Sequence, residues 1–177
     1  MVFEALGISF IFAIVFMLII YGIARLINDY SIVDVFWGMG FVFLSIALLF
    51  WYQHMYVELL IVLFLEVVWA IRLSLSILRK KRWGREDFRY AQWRKQYGKK
   101  QWKMFTNVYI VQAVILTLVH WSIAGLIASN SYTRSWYTYV GVGVWLIGFL
   151  TEVIADVQLS YYKHRVKGIV QEGLWKY

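Results

Sequence analysis

Five long apolar runs dominate this chain and leave it few ways to fold. They cover about residues 2–26, 32–51, 57–78, 108–128 and 137–159. Each is close to the ~20 residues that a helix needs to cross the hydrocarbon core of a bilayer. A soluble domain of this size has too much surface relative to volume to bury so much apolar material. Composition agrees: 62% of the 177 residues are hydrophobic and 16% charged, where an ordinary soluble domain has about 45–50% and about 25%. Cysteine is absent, which excludes a disulfide framework and thiolate metal ligation. Strand-period alternation never persists, which argues against a membrane barrel. The expected fold class is therefore all-α: a polytopic membrane bundle of about five transmembrane helices, in a single domain over 1–177.

The first run carries Glu4 where a signal peptide has basic residues, and it reads as a permanent span. Charge placement orients the bundle. The segment 79–105 holds eleven Lys and Arg against Glu86 and Asp87. Such an excess marks cytoplasmic loops, so the N-terminus is expected outside and the C-terminus in the cytoplasm. The net charge of +8 then reports topology and attraction to anionic headgroups. Because these cations adjoin membrane spans, nucleic acid is not an expected partner; the bilayer is. Within the segment, Arg85–Tyr97 places Tyr90, Trp93 and Tyr97 on one helical face. An amphipathic helix at headgroup level has this pattern. Arg89 and Arg94 could instead meet cofactor or lipid phosphates, since guanidinium binds phosphate in a bidentate manner.

Ionisable residues inside spans are costly and point to function by default. Asp34 follows Ser31 at capping-box spacing, which would spend it on a helix start. Glu66 lies near the middle of the third span. The uncharged acid costs less at that depth, and it could donate a proton to a substrate carbonyl. The structural alternative pairs Glu66 with His120 or Gln112 on another helix. In the fifth run Glu152, Asp156, Ser160 and Lys163 form one stripe. Its carboxylates could accept hydrogen bonds from ribose hydroxyls or an amide, or pair with the basic segment. Gly38-Met39-Gly40 and Gly141-Val142-Gly143 sit in apolar runs, where small residues let helices approach closely. No dinucleotide-binding, zinc-protease or nucleophile-elbow motif occurs, and no carboxylate–histidine cluster has metal spacing, so no metal is expected.

Three ordered motif sets carry a resemblance. They are Asn28-Asp-Tyr-Ser-Ile-Val-Asp34-Val-Phe-Trp37-Gly38, then Trp69-Ala-Ile-Arg72-Leu with Arg82-Trp-Gly-Arg-Glu86-Asp87-Phe-Arg89-Tyr90 and Trp93-Arg94, then Glu152-Val-Ile-Ala-Asp156-Val-Gln158-Leu with Gly173-Leu-Trp175-Lys-Tyr177. Together they resemble the steroid 5-alpha-reductase-like membrane proteins over nearly the whole chain. The resemblance implies NADPH-dependent reduction of a carbon–carbon double bond conjugated to a carbonyl, on a lipidic substrate. It implies cofactor contacts at Glu152, Asp156 and Lys163, and it leaves Glu66 as the candidate acid by depth alone. The family's carbonyl-reading Glu–Tyr pair has no match at motif level. In the family, the segment resembling Gly173–Tyr177 leads into an Arg-His-Pro-Asn-Tyr-type motif and further spans, so the chain is expected to be the N-terminal part of a larger domain, possessing at most part of the pocket. Two other functions fit the residues: a membrane methyltransferase using S-adenosylmethionine, and a non-catalytic protein that binds lipid or a partner through its basic loop.

Overall fold

A computed structural model of the chain describes residues 2–81, 86–129, 136–163 and 173–176. Most of these residues are helical, and no strand occurs among them. Six helices follow in order: α1 (Val2–Ile27), α2 (Ile32–Tyr52), α3 (Val57–Lys80), α4 (Phe88–Tyr97), α5 (Trp102–Ala128) and α6 (Trp136–Lys163). All but α4 are long and apolar enough to cross a bilayer, and the chain has the make-up of an integral membrane protein. Two compact units are present, Met1–Tyr132 and Thr133–Tyr177.

The first unit is a helical bundle. The central helix α2 touches α1, α3 and α5, and α1 also packs on α5. Two glycines make the close packing of α2 possible. A methyl carbon at Gly38 would stand 3.2 Å from the Ala70 Cα on α3. One at Gly40 would stand 3.0 Å from Leu116 on α5 and 3.2 Å from Phe16 on α1. The expected approach at Gly38 and Gly40 is thus realised on two different faces of α2. One core cluster, around Met17, Leu44, Tyr109 and Leu116, lies toward the basic end of the bundle. A second, around Leu48, Leu59 and Ile127, lies toward the other.

The fourth span starts six residues earlier than the apolar run alone suggests, at Trp102 rather than about 108. Its first turns include a π-helical stretch, Phe105–Tyr109. That wider turn places Tyr109 fully inside, where its hydroxyl donates to the Tyr30 carbonyl (3.0 Å). Insertions of this kind often accompany functional geometry. The turn between α1 and α2 is built by residues that leave the helical region locally. Asn28 is left-handed (φ 55°), which asparagine tolerates better than most residues. It lets Asn28 N–H reach the Arg25 carbonyl and Asp29 N–H the Ala24 carbonyl, a Schellman closure of α1.

The second unit holds α6 and a short 3-10 turn, Gly173–Lys176. The turn is tied to the last turns of α6. Gln158 Oε1 accepts from Leu174 N–H and Trp175 Nε1 donates to the Ala155 carbonyl, both at 2.8 Å.

Candidate functional site

The polar side chains of the first unit converge at its basic end, where the α1–α2 turn, the end of α3 and α4 meet. Asp29 organises the turn. Its Oδ1 accepts from Ser31 N–H (3.0 Å) and from Ser31 Oγ (2.6 Å), and its Oδ2 faces Lys81 Nζ at 2.7 Å. Lys81 also donates to Ser31 Oγ. Ser31 therefore does not accept from the start of α2 as the capping-box spacing suggested, and it makes no side-chain cap to that helix. Asp34 is correspondingly released from the helix start. It accepts from Tyr90 Oη at 2.6 Å and from Arg89 Nη2 at 3.3 Å, both from α4.

Helix α4 is docked on the bundle through these bonds. Tyr90 is buried (3% exposed). Burial, and then its bond to Asp34, push the Tyr90 phenol well above its ordinary range, so it stays a neutral donor. Asp87 caps α4 by accepting from Arg89 N–H, and it also accepts from Arg89 Nε, both at 3.0 Å. Burial raises the Asp87 carboxyl, but these bonds and the nearby charge of Arg89 outweigh it and hold it below the usual range. The Asp87 bond in turn holds Arg89 charged. Arg94 pairs with Glu86 at 3.0 Å, and Glu86 also accepts from Tyr30 N–H at 2.8 Å. Both candidate phosphate ligands, Arg89 and Arg94, are thus engaged with carboxylates of this unit.

Beside this cluster lies a cavity of about 870 Å³. Its polar wall includes Ser31, Asp34, Lys81, Glu86, Asp87, Arg89 and Gln112, and its apolar wall Trp37, Leu73, Ile77 and Phe88. The indole Nε1 of Trp37 is buried without a hydrogen-bond partner among the described residues. A space with one apolar and one polar side suits an amphiphile.

Glu66 does not line this cavity. It joins a buried trio with one residue from each of three helices: Ser45 on α2, Glu66 on α3 and His120 on α5. Ser45 Oγ donates to Glu66 Oε2 and lies 2.9 Å from His120 Nε2. A hydroxyl has one proton. With that proton on Glu66, Ser45 must accept from His120, which assigns the imidazole hydrogen to Nε2. His120 Nδ1 has no hydrogen-bond partner among the described residues and would then be a bare acceptor. The His120 partnership was the structural alternative for Glu66. Ser45 carried no signal in the sequence, because a lone serine in an apolar run is commonplace.

Glu152, Asp156 and Lys163 all belong to α6 in the second unit. Glu152 and Asp156 are half-buried there; the Lys163 side chain lies outside the described residues. So do Arg82 and Arg85 of the central motif. Among the described residues, no three His, Asp or Glu side chains converge as a metal site. The Asp34–Tyr90 pair could not have been found from spacing, since 56 residues separate its members.

No curated protein and no solved structure matches the chain. A protein family does: residues 20–177, which include the basic-end cluster, the trio and α6, match DUF1295, described as a protein of unknown function, and the chain belongs to that family.

Proposed function

We propose that this chain bears the substrate cavity of a membrane reductase acting on a lipidic substrate, with NADPH as hydride source and a carbon–carbon double bond conjugated to a carbonyl as the acceptor. The observation that carries this reading is the Asp34–Tyr90 pair at 2.6 Å, with Asp34 in the wall of the amphiphilic cavity. The resemblance to steroid 5-alpha-reductase-like proteins implies an acid–phenol pair that reads a carbonyl, and Asp34 with Tyr90, brought together from distant segments, is our candidate for it.

Bound NADPH would supply hydride to the alkene carbon. The chain's own residues do the rest. Leu73, Ile77, Trp37 and Phe88 offer an apolar wall to the lipid body. As hydride arrives, negative charge develops on the carbonyl oxygen, and donors placed there lower the barrier. Arg89 is one donor on this side of the cavity; Asp34 is the second when it carries a proton on Oδ2, its Oδ1 being held by the Tyr90 hydroxyl, and that proton passes to the carbonyl oxygen to give the enol, which then returns to the ketone. Tyr90 remains protonated and keeps Asp34 in place. The described residues fit the uncharged end of the cofactor: Ser31, Asp34 and Gln112 can bond hydroxyls and a carboxamide. Its phosphates would require Arg89 or Arg94 to exchange a carboxylate for a phosphate. Cofactor contacts at Glu152, Asp156 and Lys163 rest on the resemblance alone. Glu66, held by Ser45 and His120, is the weaker candidate for the acid.

Purified protein, alone and extended through the family's later spans, should be thermally stabilised by NADPH. The extended protein should consume a lipidic enone, read as loss of its ultraviolet absorbance. Asp34→Asn and Tyr90→Phe should each lower that rate by about 10²-fold or more, the scale of one lost acid or oxyanion donor. No stabilisation at millimolar NADPH in either protein sinks the proposal. Stabilisation by S-adenosylmethionine alone would replace it with methyl transfer.

A further inference from the structure

The cations at the basic end fall into two groups. Lys81, Arg89 and Arg94 are each matched to an acid of the first unit. Lys95, Lys99, Lys100 and Lys103 have no ion-pair partner among the described residues. The sequence explains the difference: no Asp or Glu occurs between Asp87 and Glu152, and the acids at the basic end, Asp29, Asp34, Glu86 and Asp87, are already engaged by the first group.

The free lysines are also held in one place. Helix α4 ends at Gly98, whose φ of +49° suits glycine, with its N–H on the Arg94 carbonyl at 3.1 Å. Lys100 N–H then closes on the Tyr97 carbonyl at 2.9 Å and Lys103 N–H on the Lys100 carbonyl at 3.0 Å. This compact turn leaves Lys95, Lys99 and Lys100 exposed. Lys103 carries its ammonium over the Trp102 ring, 6.0 Å from the centroid. Trp102 is 60% exposed and is the first residue of α5. Tryptophan at the start of an apolar span is an interfacial anchor, so it fixes the depth of the neighbouring lysines at the headgroup layer.

We propose that Lys95, Lys99, Lys100 and Lys103, anchored by Trp102, form a docking surface for the headgroups of anionic phospholipids. Ammonium groups act as compact point charges and need no bidentate geometry to hold a lipid phosphate. The surface is separate from the cavity, whose cations are internally paired. It works whether or not the reductase proposal holds.

The test uses the full chain in a non-ionic detergent, with lipid retention read by native mass spectrometry. Dioleoyl-phosphatidylglycerol should be retained in preference to dioleoyl-phosphatidylcholine. Each lysine near an anionic surface contributes about fivefold in affinity. The Lys99→Gln, Lys100→Gln double variant should therefore lower the preference more than about tenfold, with helicity unchanged by circular dichroism. Gln96→Ala, an exposed uncharged neighbour, should not lower it. An unchanged preference in the double variant overturns the proposal. So does loss of the preference on adding glycerol phosphate, which would mark a site for free phosphate, and so does tighter binding of an RNA oligonucleotide than of the lipid. Should the double variant fail to fold, the wild-type chain decides the matter. Its preference must weaken as salt rises from about 0.05 to about 0.5 M, as screening requires, and a salt-independent preference overturns the proposal.

Discussion

Asp34 and Tyr90 are worth more to each other than either is alone. Tyr90 is buried, and its hydroxyl is spent on Asp34 Oδ1. Truncating Asp34 to alanine strands that hydroxyl, and an unmatched buried donor costs about 1–3 kcal/mol. Tyr90→Phe removes the donor itself and should cost less. Adding Tyr90→Phe to Asp34→Ala should then cost little more than Asp34→Ala alone, so the pair is non-additive. Chemical denaturation in a mixed micelle measures all three variants; strict additivity would show that the bond contributes nothing. Trp37 gives the opposite sign. Its buried Nε1 donor lacks a partner among the described residues, so Trp37→Phe should leave stability unchanged or raise it, despite the smaller ring. If the cavity takes an oxygen-bearing ligand at that donor, the same variant should bind the ligand more weakly. A clear loss of stability with unaltered binding would make Trp37 a packing residue only.

Helix α4 depends on side chains more than on its own propensity. It has only ten residues, Phe88–Tyr97, too few to be stable alone in water. What holds it is the Asp87 cap, the Tyr90 insertion and the Arg94–Glu86 pair. Asp87→Ala should loosen α4 by about 1 kcal/mol, the usual worth of a lost N-cap, seen as faster hydrogen exchange over 88–97. The pH dependence follows from the same residue. Its folded carboxyl lies below the ordinary range, so its contribution is present at neutral pH. It is lost only as pH falls through and below about 4, the unfolded aspartate value. The opposite trend, α4 loosening as pH rises toward neutrality, would contradict this. The sequence showed that α4 exists, because its aromatic spacing is local. It did not show where α4 docks. Asp34, Glu86 and Arg94 meet through contacts that spacing along one helix cannot encode. The trio of Ser45, Glu66 and His120 was half visible for the same reason. Two ionisable residues stand out in apolar runs, whereas the serine between them does not. Glu66→Gln can still accept from Ser45 and should stay within about 1 kcal/mol of wild type, while Glu66→Leu takes away the acceptor of the Ser45 hydroxyl and should cost about 1–2 kcal/mol, the scale of interhelical hydrogen bonds in membranes. If Glu66→Gln kept its fold but abolished reduction, Glu66 and not the Asp34–Tyr90 pair would be the acid.

At the scale of the whole molecule, the most legible property was also the least local. Five runs of about membrane-spanning length gave five long helices, with ends shifted by a few residues where side chains rather than apolarity set the boundary. The fourth span began at Trp102 because a π-helical turn carries it past Asn107, and hydropathy is blind to such a turn. Orientation rests on charge. Eleven of the 18 Lys and Arg fall between Arg79 and Phe105, so that end of the first unit should face the cytoplasm. The composition makes this unusually simple to measure, since the natural chain has no cysteine and each engineered thiol is the only one present. Met55, 68% exposed in the α2–α3 turn, and Gln96, exposed on α4, lie toward opposite ends of the first unit. A membrane-impermeant maleimide added to intact cells should label Met55→Cys and spare Gln96→Cys, and permeabilising the cells should expose the second. Neither substitution alters the charge that sets orientation. The reverse pattern would place the cavity and the free lysines on the outer face, away from cytoplasmic NADPH and the anionic inner leaflet, and would count against both proposals at once.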